Sequence, residues 1–183
     1  MIRGKHILLR TMRDKDLETY LRLSSEIANR GPHYPLFLHS EASFRNKYAE
    51  NGFWSEKSGL MLIFDTDETR LLGQVVFFQT AHYYEGFELG YQIFHPADRG
   101  KGFTTEAVML LSKYLFDAKP ILRLTLQIEP GNAASRRVAE KSGYKFEGVA
   151  RSAFHSHGSV IDIEVWSLIR ADVYSDPAYV DLA

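Results

Sequence analysis

The run Arg99-Gly100-Lys101-Gly102 follows an apolar stretch ending at Phe94 and precedes a segment with helical spacing. A strand that ends in a glycine-rich turn and opens a helix presents free main-chain N–H groups at the positive end of the helix dipole. That geometry holds phosphate. Gly100 and Gly102 let the backbone approach an anion closely, while Arg99 and Lys101 add local positive charge. Alone, the turn fits several nucleotide ligands, and many helices start this way with no ligand at all. Two nucleotide motifs fail on spacing. A P-loop needs Ser or Thr after its Gly-Lys, where this chain has Gly102, and the dinucleotide fingerprint needs glycine where Thr105 stands.

Other residues able to do chemistry are few. Glu88 lies on the strand before the turn and reads either as a general base or as a solvated or hydrogen-bonded strand residue. His155 and His157 sit in a polar turn, which accounts for them without a role, and the His-x-His pair has no evident third metal ligand. The absence of cysteine excludes disulfides, thiolate metal sites and a cysteine nucleophile.

The elements that would position these residues follow from periodicity. Ile7 to Leu9 reads as a strand, then a helix carries Leu17, Tyr20 and Leu21. Leu60 to Phe64, Leu71 to Phe78 and Phe87 to Phe94 read as an antiparallel meander. The helix after Gly102 buries Ala107, Leu110, Leu111, Tyr114 and Leu115, with Thr104 or Thr105 as the expected N-cap. Leu122, Leu124, Leu126 and Ile128 alternate with polar residues, the clearest strand in the chain. A short helix from Asn132 stops at Gly143, strands follow over 144–149 and 160–168, and the residues after Arg170 are expected to be surface-lying or loose.

The 183 residues suit one domain, over 1–170, with 171–183 as a tail. A formal net charge of -1 supplies no global field for nucleic acid or an anionic membrane, and no apolar run is long enough to span a bilayer. No signal peptide is evident at the N-terminus, so a cytoplasmic location is expected.

In order along the chain, Glu88-Leu89-Gly90-Tyr91, then Arg99-Gly100-Lys101-Gly102-Phe103-Thr104-Thr105-Glu106-Ala107, then Glu129-Pro130-Gly131-Asn132-Ala133-Ala134-Ser135, then Glu140-Lys141-Ser142-Gly143-Tyr144 resemble the GNAT superfamily of N-acyltransferases, and within it the RimJ/RimL-like group. The resemblance covers Ile7 to Arg170 and departs from Arg-x-x-Gly-x-Gly/Ala at Thr104. It implies an α+β GNAT fold: a central, mostly antiparallel twisted sheet of six or seven strands, flanked by helices, with a splayed cofactor-binding pair. It implies acetyl transfer from acetyl-CoA to a primary amine, a peptide N-terminus or a small molecule, by direct attack in a ternary complex. No metal is implied, and a monomer or a homodimer both fit.

Residue by residue, the resemblance implies that backbone amides of Arg99, Gly100, Lys101, Gly102, Phe103 and Thr104 hold the pyrophosphate. The strand at Gln92, Ile93 and Phe94 would pair with the pantetheine arm, and Asn132 would touch the cofactor. Many relatives carry a tyrosine proton donor where this chain has Ala139, which makes Ser135 the substitute, and the glutamate some RimL relatives use falls at Phe154. Glu88 is then the preferred base. Tyr34, Phe37, Phe44, Phe53, Trp54, Tyr83 and Tyr84 read as core or rim, a subset of them shaping the acceptor pocket. A catalytically silent acyl-CoA-binding module is the alternative reading.

Overall fold

The computed structural model of the chain describes residues 1–35, 38, 40–79, 83, 85–180 and 182. Phe37 and Tyr84, two of the candidate pocket aromatics, lie outside the described residues. Eight strands form one sheet: β1 (Ile2–Arg3), β2 (Ile7–Arg10), β3 (Ser58–Asp65), β4 (Leu71–Phe78), β5 (Gly86–Ile93), β6 (Arg123–Ile128), β7 (Lys145–Ser156) and β8 (Ser159–Ile169). Their spatial order is β1-β2-β3-β4-β5-β6-β8-β7. Every neighbouring pair is antiparallel except β5 and β6, which are parallel. A parallel pair needs a crossover, and α3 (Phe103–Ala118) provides it. The mixed α/β sheet expected from sequence is present, with β1 as the additional strand.

Two apolar layers cover the sheet. On one face, α3 and α4 (Ala133–Lys141) pack against a core that includes Leu89, Ile93, Leu111, Leu115, Leu124 and Trp166. On the other, α1 (Leu17–Ser25) and α2 (Glu41–Asn51) contribute Tyr20 and Phe44 to a smaller cluster with Leu8, Leu62 and Phe94. Side chains alternate along a strand. Phe87, Leu89, Tyr91 and Ile93 of β5 therefore face α3, while Glu88, Gly90 and Gln92 face α1 and α2 together with Phe94.

Three expectations are corrected. The N-cap of α3 is Gly102, in the left-handed region at φ 88°, and Thr104 and Thr105 lie inside the first turn. The cap is a backbone conformation that only glycine adopts without strain, so no side-chain cap is needed. The hairpin β7–β8 is longer than its apolar pattern, because β7 is an exposed edge strand with little inward face. Residues 170–180 are not loose. They form α5 (Arg170–Ser175) and α6 (Pro177–Val180), and they return Val173 and Tyr179, each 1% exposed, to the main core.

Tyr179 also donates its hydroxyl to the Ser142 carbonyl at 2.7 Å, tying the chain end to the stop of α4. Tyr179→Ala is expected to cost about 3–5 kcal/mol, the range for a large buried aromatic. Denaturant titration checks it, and a loss under about 1 kcal/mol would show that the chain end adds little to the core.

Candidate active site

The parallel pairing of β5 with β6 stops early. Gly86, Phe87 and Glu88 are in register with Arg123, Leu124 and Thr125, and beyond them both strands continue without pairing. A V-shaped opening results, with Glu88 and Thr125 at its vertex. Which main-chain groups line it follows from the other neighbour. The Phe94 N–H donates to the Leu72 carbonyl of β4 at 3.0 Å. In an antiparallel ladder hydrogen-bonded pairs alternate, so the groups of Gln92, Gly90 and Glu88 also turn to β4. Those of Leu89, Tyr91 and Ile93 turn to the opening.

Of the three residues assigned to pantetheine pairing, then, Ile93 offers main-chain groups to the opening, whereas those of Gln92 and Phe94 face β4. Leu89 and Tyr91 likewise turn their main-chain groups to the opening. The Ile93 carbonyl already accepts from Arg99 Nε at 3.5 Å, a bond that pins the turn to the end of β5. Arg99 also donates to the Asn29 carbonyl, drawing in the segment after α1.

Above the opening lies the glycine turn. Gly100 and Gly102 have φ of 75° and 88°, and a Cβ at either would meet nothing within 4 Å. Both therefore serve conformation and leave their outer side open. The Arg99 N–H donates to the Pro96 carbonyl at 3.1 Å, which removes it from the amides available to an anion. The next amide engaged is Glu106 N–H, on the Gly102 carbonyl. The N–H groups of Gly100, Lys101, Gly102, Phe103, Thr104 and Thr105 have no acceptor among the described residues. Lys101 pairs with Asp98 at 3.1 Å, and Asp98 also takes Arg70 at 2.8 Å. Burial alone would raise the Asp98 carboxyl, but those two cations outweigh it and hold it low. Among the described residues Arg99 donates to carbonyls and meets no carboxylate. Six such N–H groups at the start of a helix, beside Arg99, suit a pyrophosphate.

Glu88 stands at the vertex on the α1/α2 face. Among the described residues nothing donates to its carboxylate, and burial pushes its pKa up to about 7. A carboxylate so poised takes a proton readily near neutral pH.

Ser135 lies on the opposite face, in the first turn of α4. Its N–H donates to Asn132 Oδ1 at 3.1 Å, so the Asn132 side chain caps α4. Burial pushes the Tyr91 pKa up to about 12, and the nearby Ser135 hydroxyl counters part of that rise. Sequence reading passed over Tyr91, though the alternation of β5 puts it opposite Glu88 in face. Ala139 is fully buried in the main core. Phe154 and His155 lie on β7, and His157 is in the turn beyond it. Among the described residues no group of three or more His, Cys, Asp or Glu could hold a metal ion. Among the described residues no helix is long and apolar enough to cross a membrane.

A sheet opened between two parallel strands, with an anion turn at the top of one of them, defines an acyl-CoA-binding N-acyltransferase. The family model described as the acetyltransferase (GNAT) domain matches residues 6–145, and the chain belongs to that family. It is 30% identical over 179 residues to the probable N-acetyltransferase YjcK of Bacillus subtilis, covering 94% of this chain and 98% of that one. A GNAT-family acetyltransferase structure from Bacillus anthracis superposes with a TM-score of 0.77 at 24% identity, covering 93% of this chain and 98% of that one. RimJ of Mycobacterium smegmatis, in complex with CoA-disulfide, gives a TM-score of 0.77 at 19% identity, covering 96% and 87%. The chain is thus a GNAT-family N-acetyltransferase, and its likeness to RimJ is one of fold.

Proposed function

We propose that the chain transfers acetyl from acetyl-CoA to a primary amine by direct attack in a ternary complex, with Glu88 as general base. The observation that carries this reading is the Glu88 carboxylate at the vertex of the opening, which has no donor among the described residues and whose pKa burial pushes up to about 7. A protonated amine cannot attack, and a group of that pKa can remove its proton directly or through one water.

Bound here, acetyl-CoA supplies a thioester carbonyl for the amine to attack. The N–H groups from Gly100 to Thr105 fix the pyrophosphate, and the N–H groups of Leu89, Tyr91 and Ile93 lie along the arm. One of these N–H groups polarises the thioester carbonyl and stabilises the negative charge that develops on it. Ser135, beside Tyr91, hydrogen-bonds the departing thiolate and relays to it a proton taken up from solvent, so that the hydroxyl is restored as the thiol forms. Base and acid lie on opposite faces of β5, so the amine enters from the α1/α2 side and the thiol leaves on the α4 side. Positioning of this kind lowers a barrier by about 7–11 kcal/mol, more than any single proton transfer.

Because a thiol with a reference pKa of about 8.5 leaves with little help, Ser135→Ala is expected to lower kcat by about 10- to 100-fold. Affinity for acetyl-CoA should stay within about twofold of wild type, as the pyrophosphate contacts are untouched. Calorimetry and turnover on one preparation separate the two, and parallel loss of affinity would contradict this division. The transfer itself is tested by free-thiol release from acetyl-CoA across peptides, aminoglycosides and polyamines. Binding without amine-dependent release would leave a silent acyl-CoA-binding module.

A further inference from the structure

Gln92 is 7% exposed, and its Nε2 has no hydrogen-bond partner among the described residues. An enclosed amide without a partner lowers stability, and each one in a native chain calls for an explanation. Its cross-strand neighbour supplies the contrast. Gln74 faces Gln92 in register on β4 and is equally buried. Its Oε1 accepts from the Tyr20 hydroxyl, and its Nε2 donates to the Tyr34 hydroxyl at 3.1 Å. Of two adjacent glutamines on one face, one is satisfied at both ends, and the other leaves its buried Nε2 without a partner among the described residues. Folding alone would be served at least as well by methionine at position 92.

Gln92 is also the end of a row. Glu88, Gly90 and Gln92 share the α1/α2 face of β5, and four residues of strand span about 13 Å. Gly90 places no side chain between them, and a Cβ there would lie 3.1 Å from Val76 Cγ2. The floor from the proposed base to the unpaired amide is therefore low and flat. It suits an extended chain better than a compact ring.

We propose that Gln92 is a specificity-determining residue whose side-chain amide hydrogen-bonds a main-chain amide of an extended acceptor, so that the acceptor is a peptide N-terminus. The inference rests on Glu88 marking the acceptor side. A peptide amide offers both a carbonyl and an N–H, and so complements Gln92 whichever way its amide is turned. A polyamine has no oxygen to accept from Nε2. The pantetheine arm carries amides too, but the β5 main-chain groups facing the opening are those of Leu89, Tyr91 and Ile93. Gln92 projects to the face opposite Ser135.

The test uses the full chain with Gln92→Met and Gln92→Glu, each assayed for thiol release with hexapeptides bearing free N-termini and with spermidine. Acetyl-CoA affinity and Tm are measured on the same preparations. Wild type is expected to prefer the peptides. Gln92→Met should lose about 10- to 100-fold in peptide kcat/KM while acetyl-CoA affinity holds and Tm stays level or rises. Unchanged peptide kinetics, a loss confined to acetyl-CoA affinity, or a wild-type preference for spermidine would overturn the proposal. So would a lower Tm in both variants, which would make Gln92 structural. Failure of wild type to release thiol with any amine would instead defeat the transfer reading, and this inference with it.

Discussion

Gly102→Pro is expected to abolish acetyl-CoA binding. Gly102 sits at φ 88° as the N-cap of α3, whereas proline is confined to a φ of about -65° and carries no N–H. The substitution removes one of the six free donors and turns its neighbours away from their common point. In wild type, acetyl-CoA at a hundredfold above Kd should stabilise the fold by about 2.7 kcal/mol, and in the variant by nothing measurable. Gly102→Ala serves as the control. It keeps the N–H, meets no atom within 4 Å of its Cβ, and bears only the left-handed strain of about 1–2 kcal/mol. It should fold and bind, more weakly. Full binding by a folded Gly102→Pro would place the pyrophosphate elsewhere.

Glu88→Gln should lower kcat/KM by about 10²–10⁴-fold at pH 8 with acetyl-CoA affinity unchanged. The pH dependence carries more information than the loss. Wild-type kcat/KM should rise through pH about 7, where Glu88 deprotonates, and that inflection should be absent from the variant. Stability must move the other way. Folding raises the pKa of Glu88 from its ordinary value of 4.5 to about 7, so between these values the folded state holds the extra proton. Its contribution is present at low pH and is lost as pH climbs through about 7. The variant should therefore be at least as stable as wild type at pH 8, by thermal unfolding. A variant both inactive and less stable would mark Glu88 as a structural residue.

Much of this was legible in the residues. The alternation from Leu122 to Ile128 and the apolar face of α3 gave two elements directly, because each buries one side and wets the other. The glycine turn was legible because left-handed conformations select glycine. The face of each β5 residue was recoverable from period two alone, and with it the placing of Glu88 and Gln92 together and Tyr91 opposite. The direction of the β5 main-chain groups was not. It depends on which residues form the hydrogen-bonded pairs with β4, and side-chain alternation alone does not say whether the even or the odd set does. The unpaired state of Gln92 was equally hidden, since it exists only by contrast with Gln74. The C-terminal helices were missed because Val173 and Tyr179 are isolated anchors in a polar segment.

The central claim is that acetyl-CoA lies along the open edge of β5 with its pyrophosphate on the turn, and a crystal structure of the acetyl-CoA complex tests it most directly. The account predicts pyrophosphate oxygens within about 3 Å of N–H groups between Gly100 and Thr105, and the thioester carbonyl on an N–H of Leu89, Tyr91 or Ile93. Glu88 should face the acetyl group from the α1/α2 side. A pyrophosphate bound away from that turn, or a thioester remote from the vertex at Glu88, would contradict it.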